Sequence, residues 1–258
     1  MRRRLRWIPA LALVVLLIGL WEVYVDVGGV DPSVLPPPHD VAKSLYEDHA
    51  LLWSNFLVTG KEVLLGIVIA AVAGLGCAVA MHFSATLRRA LYPLLVASQA
   101  IPIVIIAPVL VFWLGFGILP KLVVVALVSF FSIVVTTMAG LAAVDSDLLK
   151  LMHTFDSPRT RTFRLVEFPS ALPGVFTGTR IAVAVAVIGA VLAEQAGGSS
   201  TGTSGLGFEI LLSENQFLSA RSVAAVVILS LFAIVLFALL TVAERLVLPW
   251  AYQPRGDR

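Results

Sequence analysis

Six long apolar runs constrain this chain more than any other feature. A helix needs about 20 apolar residues to cross the roughly 30 Å hydrocarbon core of a bilayer. Four runs contain no charged residue, and the other two contain one each, Glu22 and Arg180. None alternates polar and apolar residues as the strands of a transmembrane barrel do. The sequence therefore predicts an all-α, polytopic membrane protein with six transmembrane helices. The runs span residues 8–25, 63–83, 91–120, 122–144, 175–193 and 223–243.

The composition excludes other classes of protein. The chain is 59% hydrophobic and only 13% charged, whereas soluble domains carry roughly 25% charged residues. A net charge of +2 without a long basic run argues against a nucleic-acid partner. The four histidines are dispersed and the one cysteine lies within an apolar run, so we expect no metal site and no cofactor.

The distribution of basic residues predicts the orientation of the chain. Lys and Arg accumulate on the cytoplasmic side of membrane proteins. With the N-terminus inside, fourteen of the 18 Lys and Arg residues fall in cytoplasmic segments. Both termini are therefore expected in the cytoplasm. The four basic residues left outside are Lys43, Lys61, Lys121 and Arg221.

These runs divide the chain into four parts. Residues 1–28 form an N-terminal cytoplasmic tail and the first transmembrane helix. Residues 29–54 form an extracytoplasmic segment, Pro-rich at first and ending in a short surface helix over 41–52. Residues 55–250 form the core of the protein, including a polar loop at 145–173. Residues 251–258 form a cytoplasmic tail.

Polar and proline residues inside the runs are candidates for a translocation path. Interior prolines free backbone groups that hydrocarbon cannot satisfy, so the 91–120 helix either faces a water-filled path or is kinked within a packed bundle. Glu194 either lines an outer gate, contacts a partner outside the cell, or reaches water at a helix end. Gln99 either lies on the path or makes an interhelical hydrogen bond. Arg180 is expected to anchor its helix in lipid headgroups. The path residues are Gln99, Pro102, Pro108 and Glu194.

The 145–173 loop is the longest polar stretch on the predicted cytoplasmic side. Asp145 or Ser146 is suited to cap a helix that runs to about Phe155. Residues 156–158 form a break, and a second helix spans 159–166 until Pro169 and Pro173 end it before the membrane. The pattern is typical of a lever that docks into a partner, although positive-inside bias alone would also produce a basic loop.

Residues 150–173 resemble the EAA loop of permease subunits of ABC importers. Thr154, the Phe163-Arg164 pair and the run from Pro169 to Pro173 carry the resemblance. Lys150 stands where the family has an acid, and Asp156 where it has a glycine. Asp tolerates left-handed backbone better than most residues, so the turn is expected to form.

Flanking motifs extend the resemblance over about residues 55–250. Several short motifs resemble the nitrate, taurine, aliphatic-sulfonate and pyrimidine-precursor branch of type I importers. They are Ile101-Pro102, Ala107-Pro108, residues 113–117, residues 176–180, and Ala193-Glu194 followed by residues 205–207. Within that branch, the 187–194 and 243–250 segments are most similar to permeases for hydroxymethylpyrimidine-type thiamine precursors, and riboflavin permeases are similar.

The resemblance implies a non-catalytic transport subunit in a prokaryotic plasma membrane. The Gly-rich 197–207 segment lacks the Gly-Lys-Ser/Thr of a phosphate loop, so ATP hydrolysis belongs to a separate ABC ATPase subunit in two copies. The other implied partners are an extracytoplasmic substrate-binding protein and a second permease copy in a homodimer. The predicted ATPase contact comprises Lys150, Thr154, Phe155, Asp156, Ser157, Arg161 and Phe163.

The solute and the energy source have alternatives. The favoured solute is a hydroxymethylpyrimidine-type thiamine precursor, and the same architecture serves taurine, alkanesulfonate, nitrate or riboflavin uptake. A self-contained secondary transporter is the alternative from another class. It requires internal repeats or paired charges within the membrane, and the sequence shows no convincing repeat.

Overall fold

The computed structural model describes residues 8–198 and 204–252, and these residues contain helices and no strands. The all-α prediction is therefore confirmed over this part of the chain. A 3₁₀ turn, Pro249–Tyr252, follows the last helix. The helices, numbered in chain order, are α1 (Ile8–Gly28), α2 (Pro38–Glu47), α3 (His49–Phe83), α4 (Ala85–Ser98), α5 (Ile103–Leu114), α6 (Ile118–Ala142), α7 (Ser146–Thr154), α8 (Arg159–Thr162), α9 (Phe168–Gly197), α10 (Leu206–Asn215) and α11 (Ser219–Val247).

Four helices in the described residues are long and apolar enough to cross a membrane. They are α3, α6, α11 and a continuous helix from Arg159 to Gly197 that includes α8 and α9. The pair α4 and α5 passes the same test only as one broken span. The chain is thus a multi-pass membrane protein. The 21-residue α1 is about 31 Å long at 1.5 Å per residue.

The predicted 91–120 helix is two helices. α4 and α5 meet at an angle of 101°. Before the break the backbone tightens, with the amides of Gln99 and Ala100 bonding to the carbonyls of Val96 and Ala97. Pro102 then caps α5 in an extended conformation (φ −64°, ψ 125°). A residue without an N–H cannot continue the α-helical ladder, so the chain turns here instead of kinking gently.

The prediction that Pro169 and Pro173 end a helix is wrong. Both prolines lie inside α9, which continues from α8 through a π-helical turn, Phe163–Glu167. In this turn the Phe168 amide donates to the carbonyl of Phe163. Widening the turn shifts the hydrogen-bond register just before Pro169, where an N–H is missing. The helix therefore passes from the polar loop into the membrane without interruption.

Close contact between α6 and α9 forms the centre of the bundle. Gly178 of α9 lies directly against α6, where a Cβ would overlap Thr136 Oγ1 and come within 2.9 Å of the Ser132 carbonyl. Small residues let backbones approach in this way in membrane proteins, where dispersion replaces the hydrophobic effect. Ile133 and Val134 of α6 and Ala182 of α9 are buried around this contact.

α3 begins fourteen residues before the predicted apolar run. The expected surface helix over 41–52 ends as α2 at Glu47, and Leu52 is buried within α3. The apolar pattern placed the start after Lys61 and Glu62. Glu62 nevertheless points into the core, where Lys121 Nζ lies 3.0 Å from its Oε1. The ammonium group of Lys121 neutralises the charge of Glu62, so Glu62 can lie within a membrane helix.

Arg180 was expected from its sequence position to anchor its helix in lipid headgroups. In the structure it also contacts an acid on a neighbouring helix. Its Nη1 lies 3.0 Å from Glu244 Oε2 of α11, and Glu244 is buried. Its guanidinium also lies over the Phe237 ring, 5.8 Å from the centroid. The expectation of a simple lipid anchor missed Glu244 because the two residues are 64 positions apart in the sequence.

α2 contacts the end of α1 through one short hydrogen bond. His39 Nδ1 lies 2.5 Å from Glu22 Oε1, and this bond raises the pKa of His39 above its ordinary value. At the other end of α2, Asp48 accepts from Ser44 and from Arg221 of α11. Burial raises the pKa of Asp48, but these two bonds outweigh it and hold the pKa low.

Removing Glu244 should destabilise the bundle. E244A leaves the half-buried Arg180 without its counter-charge, so we expect a loss of about 2 kcal/mol, between the values for exposed and buried pairs. The double variant R180M/E244M should lose less, because it leaves no unpaired charge. Unfolding of the purified protein in detergent, followed by circular dichroism, measures both. An unchanged E244A protein would support the headgroup anchor instead.

Candidate functional site

The 145–173 loop begins with a capped helix, as predicted. The Asp145 carboxylate accepts a hydrogen bond from the Asp147 amide at 2.9 Å, and α7 follows from Ser146 to Thr154. A side-chain acceptor at this position satisfies one of the amides that the first turn of a helix leaves free. The loop therefore presents a short, well-defined helix instead of a flexible connector.

The end of α7 is a Schellman turn with Asp156 in the left-handed position. Asp156 has φ of 48°. Its amide donates to the His153 carbonyl at 3.0 Å, and the Ser157 amide donates to the Met152 carbonyl at 3.1 Å. These are the two bonds of this motif, which usually has glycine at that position. The replacement of glycine by Asp156 thus leaves the geometry of the turn intact.

α7 presents an apolar stripe to the surroundings. Leu148, Leu151 and Phe155 lie at helical spacing on one face, all three are exposed, and the Phe155 side chain is 72% exposed. Lys150 is also exposed and pairs with Asp147 at 2.7 Å. Exposed apolar patches of this kind mark interaction surfaces. We call these three apolar residues the α7 stripe.

The other predicted contact residues of the loop differ in their surroundings. The Thr154 hydroxyl donates to the Lys150 carbonyl at 3.0 Å. The Ser157 hydroxyl is buried without a hydrogen-bond partner among the described residues. Arg161 is exposed on α8. Phe163 is half-buried and packs inward, its ring 4.9 Å from that of Phe83 and 5.7 Å from that of Phe168.

Three residues that sequence reasoning missed hold the loop to the end of α3. Arg159 donates to the His82 carbonyl at 3.0 Å and lies over the Phe83 ring. His82 Nε2 lies 2.8 Å from Glu167 Oε2, and both side chains are largely buried. The pair links α3 to the π-helical turn. His82 lies near the end of a charge-free run, and Glu167 lies in an aromatic-rich stretch. No local sequence pattern predicts that these two residues pair.

Gln99, Pro102 and Pro108 lie together on the broken α4–α5 pair. Gln99 follows α4, Pro102 caps α5, and Pro108 lies inside α5. All three are exposed on the single chain. Glu194 is not part of this group, because its carboxyl faces α3 and α10 instead. The structure thus divides the four predicted path residues into an exposed set of three and one buried acid.

Glu194 is fully buried near the end of α9 and does not reach water. Its Oε1 accepts from the Thr59 hydroxyl at 2.7 Å, and its Oε2 accepts from the Gly207 amide at 2.6 Å. The Leu206 amide donates to Thr59 Oγ1 at 2.8 Å. Gly205 packs so closely on the carboxyl that a Cβ there would overlap it. Glu194 therefore holds the start of α10 against α3 and α9.

Two further groups of charges surround Glu194, and sequence reasoning missed both. Glu62 and Lys121 form a buried ion pair at 3.0 Å, and Glu62 lies one helical turn after Thr59, whose hydroxyl donates to Glu194. Glu209 of α10 lies 3.7 Å from Arg221, and Asn55 donates to it at 3.4 Å. The sequence placed Lys121 and Arg221 on the external side of the membrane and gave no sign of their partners.

One group of side chains in the described residues has spacing suited to a metal ion. Glu22, Asp26 and His39 bring three ligand atoms within 4.8 Å of one another. Asp26 and His39 are exposed, and the short hydrogen bond between Glu22 and His39 accounts for their approach. No second feature of the structure points to a ligand there.

Comparison with known proteins identifies relatives of this chain. The family model for the binding-protein-dependent transport system inner membrane component matches residues 63–249. The formylaminopyrimidine transport permease of Halalkalibacterium halodurans is 33% identical over 94% of this chain and 95% of its own length. The riboflavin transport system permease of Chloroflexus aurantiacus is 33% identical over 96% and 92%. The taurine permease of Escherichia coli is 26% identical over 96% and 94%.

A solved structure shares the fold. A crystal structure described as an amino acid ABC transporter with histidines aligns with a TM-score of 0.60 at 17% identity, covering 78% of this chain and 96% of that one. Together with the family match over most of the chain, these relatives confirm the resemblance carried by the 145–173 loop and its flanking motifs. The chain belongs to the family of binding-protein-dependent transport system inner membrane components and is a permease subunit of a type I ABC importer.

Proposed function

We propose that this chain carries a small polar solute into the cell across a prokaryotic plasma membrane, with energy from a separate pair of ABC ATPase subunits. The observation that carries the proposal is the α7 stripe, an exposed apolar surface that the turn at Asp156 joins to the continuous helix from Arg159 to Gly197. An extracytoplasmic binding protein delivers the solute, since the family that matches this chain is described as a component of binding-protein-dependent transport systems.

The proposed coupling path follows the continuous helix from Arg159 to Gly197. The ATPase contacts Lys150, Phe155 and Arg161 directly, while Thr154, Asp156 and Ser157 shape the turn. Phe163, packed against Phe83, joins the loop to the bundle. A helix of 39 residues is about 58 Å long, so a movement that α7 passes through the turn to Arg159 reaches the opposite membrane face as a rigid-body displacement.

The proposed translocation path lies along the broken α4–α5 pair. Gln99 and Pro102 flank the 101° bend, where the backbone cannot be exposed to lipid without loss of hydrogen bonds. The end of α5 and the turn after it carry three highly exposed side chains, Phe112, Trp113 and Phe116. A second permease copy placed against this pair would enclose the bend and the aromatic surface, which supports a homodimer.

The proposed topology has six crossings and cytoplasmic termini. α1 supplies the first crossing, the broken pair supplies another, and the four long helices supply the rest. This arrangement places the α7 stripe in the cytoplasm and the turn between α10 and α11 outside. It also retains the excess of Lys and Arg on the cytoplasmic side.

The favoured solute is a pyrimidine-type thiamine precursor. Two relatives at 33% identity are described as permeases for formylaminopyrimidine and for riboflavin, both nitrogen heteroaromatic compounds. The taurine permease is less similar, at 26% identity. This ranking supports a heteroaromatic solute over taurine, an alkanesulfonate or nitrate.

Reconstitution with its partners should show ATP-dependent uptake. Proteoliposomes holding the chain, its ATPase and its binding protein are expected to accumulate radiolabelled hydroxymethylpyrimidine or formylaminopyrimidine only with ATP. Taurine and nitrate should not compete. Equal uptake by the chain alone without ATP would show a secondary transporter and contradict the importer.

Replacing Phe155 should uncouple ATP hydrolysis from transport. F155D places a charge in an apolar contact, so we expect transport to fall about tenfold or more, as for aromatic anchors of interfaces. F155L should retain most transport. D156G is the matched control, because glycine adopts the left-handed turn without strain. Full transport by F155D, with the ATPase still bound, would contradict the contact.

Labelling of single cysteines tests the topology. In a C77A background, a membrane-impermeant maleimide added to intact cells should label F217C, whose native side chain is 76% exposed. It should not label F155C or R4C until the membrane is permeabilised. Labelling of R4C in intact cells would place the N-terminus outside and remove α1 from the membrane spans.

A further inference from the structure

The buried core between α3, α6, α9 and α10 contains more carboxylates than cations. Glu62 is 2% exposed, Lys121 is 7% exposed and Glu194 is fully buried. The nearby Glu209 has its own partner, Arg221, which also binds Asp48. Two carboxylates therefore remain for one ammonium group. An uncompensated charge at such a site is strongly disfavoured, and groups in this position change protonation instead.

The hydrogen bonds in this core are incomplete unless a proton is added. Lys121 binds Glu62 Oε1, and Glu62 Oε2 is buried with no partner among the described residues. Glu62 lies one turn after Thr59 on α3, and Thr59 donates to one oxygen of Glu194 while the Gly207 amide donates to the other. Ionised carboxylates only accept hydrogen bonds, so these two can bond to each other only through a proton.

Close packing around the two carboxyls favours a proton over a metal ion as their shared occupant. The Gly205 backbone lies against the Glu194 carboxyl, where even a Cβ would overlap it. Lys121 already occupies the other side of Glu62, and its Cε lies 3.7 Å from where a Cβ on Gly197 would be. A metal ion would need several oxygen ligands at more than 2 Å in each direction, and this packing leaves no such space.

We propose that Glu62 and Glu194 share one proton, so that the two carboxyls and Lys121 together are electrically neutral. The shared proton gives the orphan Glu62 oxygen a partner. It also lets Glu194 continue to accept from the Gly207 amide, while Thr59 accepts from the Leu206 amide. The neutral cluster thereby fixes the start of α10 on α3 and α9, a function independent of which solute is carried.

Alkaline conditions should release this arrangement. The charged groups facing the cluster are Glu62 from α3, Lys121 from α6, Glu194 from α9 and Glu209 from α10, with Arg221 of α11 paired to Glu209. At neutral pH the folded state holds one proton more than the unfolded state, where free carboxyls are ionised. Stability therefore falls as the pH rises.

The test uses infrared spectroscopy of the full-length chain in lipid nanodiscs. A buried protonated carboxyl gives a C=O stretching band that shifts in heavy water. We expect this band in the native protein and in E209Q, the control variant, because Glu209 pairs with Arg221 and not with this cluster. It should be lost in E194Q and in E62Q, because the Gln amide then donates the bond and the remaining carboxylate is matched by Lys121.

Thermal unfolding supplies the second readout. The native protein and E209Q should lose melting temperature from neutral to alkaline pH, and E194Q or E62Q should lose this dependence. Absence of the band in the native protein overturns the shared proton. So does its persistence in either E62Q or E194Q, or its loss in E209Q. Should one Gln variant fail to fold, the other and the native spectrum still decide the matter.

Discussion

The exclusion of water from the membrane bundle is the constraint on which the rest of this structure depends. Charges that lie inside must be neutralised by residues inside, because hydrocarbon offers them no partner. Glu62 therefore pairs with Lys121, and Arg180 with Glu244. Each pair joins two helices that are distant in sequence. The charged residues thus act as specific fasteners, while the apolar surfaces around them determine only that the helices lie in the membrane.

The Arg159–Gly197 helix connects the two ends of the molecule. Its start is held to α3 by the contact of Glu167 with His82, and its end holds α10 through Glu194. Between them, Gly178 brings it into backbone contact with α6. A helix anchored at both ends and packed tightly in the middle moves as one body. This is the mechanical property that a permease needs in order to link a cytoplasmic motor to an outer gate.

Local patterns predicted much of the fold and part of the candidate site. The capped α7 and the turn at Asp156 could be predicted, because capping and left-handed turns depend on residues a few positions apart. The bend at Pro102 and the passage of α9 through Pro169 could not. A proline removes the same N–H in both places, and the surrounding packing determines whether the helix breaks or widens into a π-turn. The pairing of His82 with Glu167 likewise has no local signature.

The sequence by itself determined that this chain is helical, enters the membrane several times and belongs to the permeases. Those properties follow from apolar length, charge placement and one short motif, all of which are local. Only the tertiary structure decided which buried charges meet. It showed that Lys121 and Arg221, which the sequence placed only on the external side, pair with Glu62 and Glu209. The physical reason is that neutralisation at membrane depth is a contact between helices, and the order of residues along one helix carries no record of its neighbour.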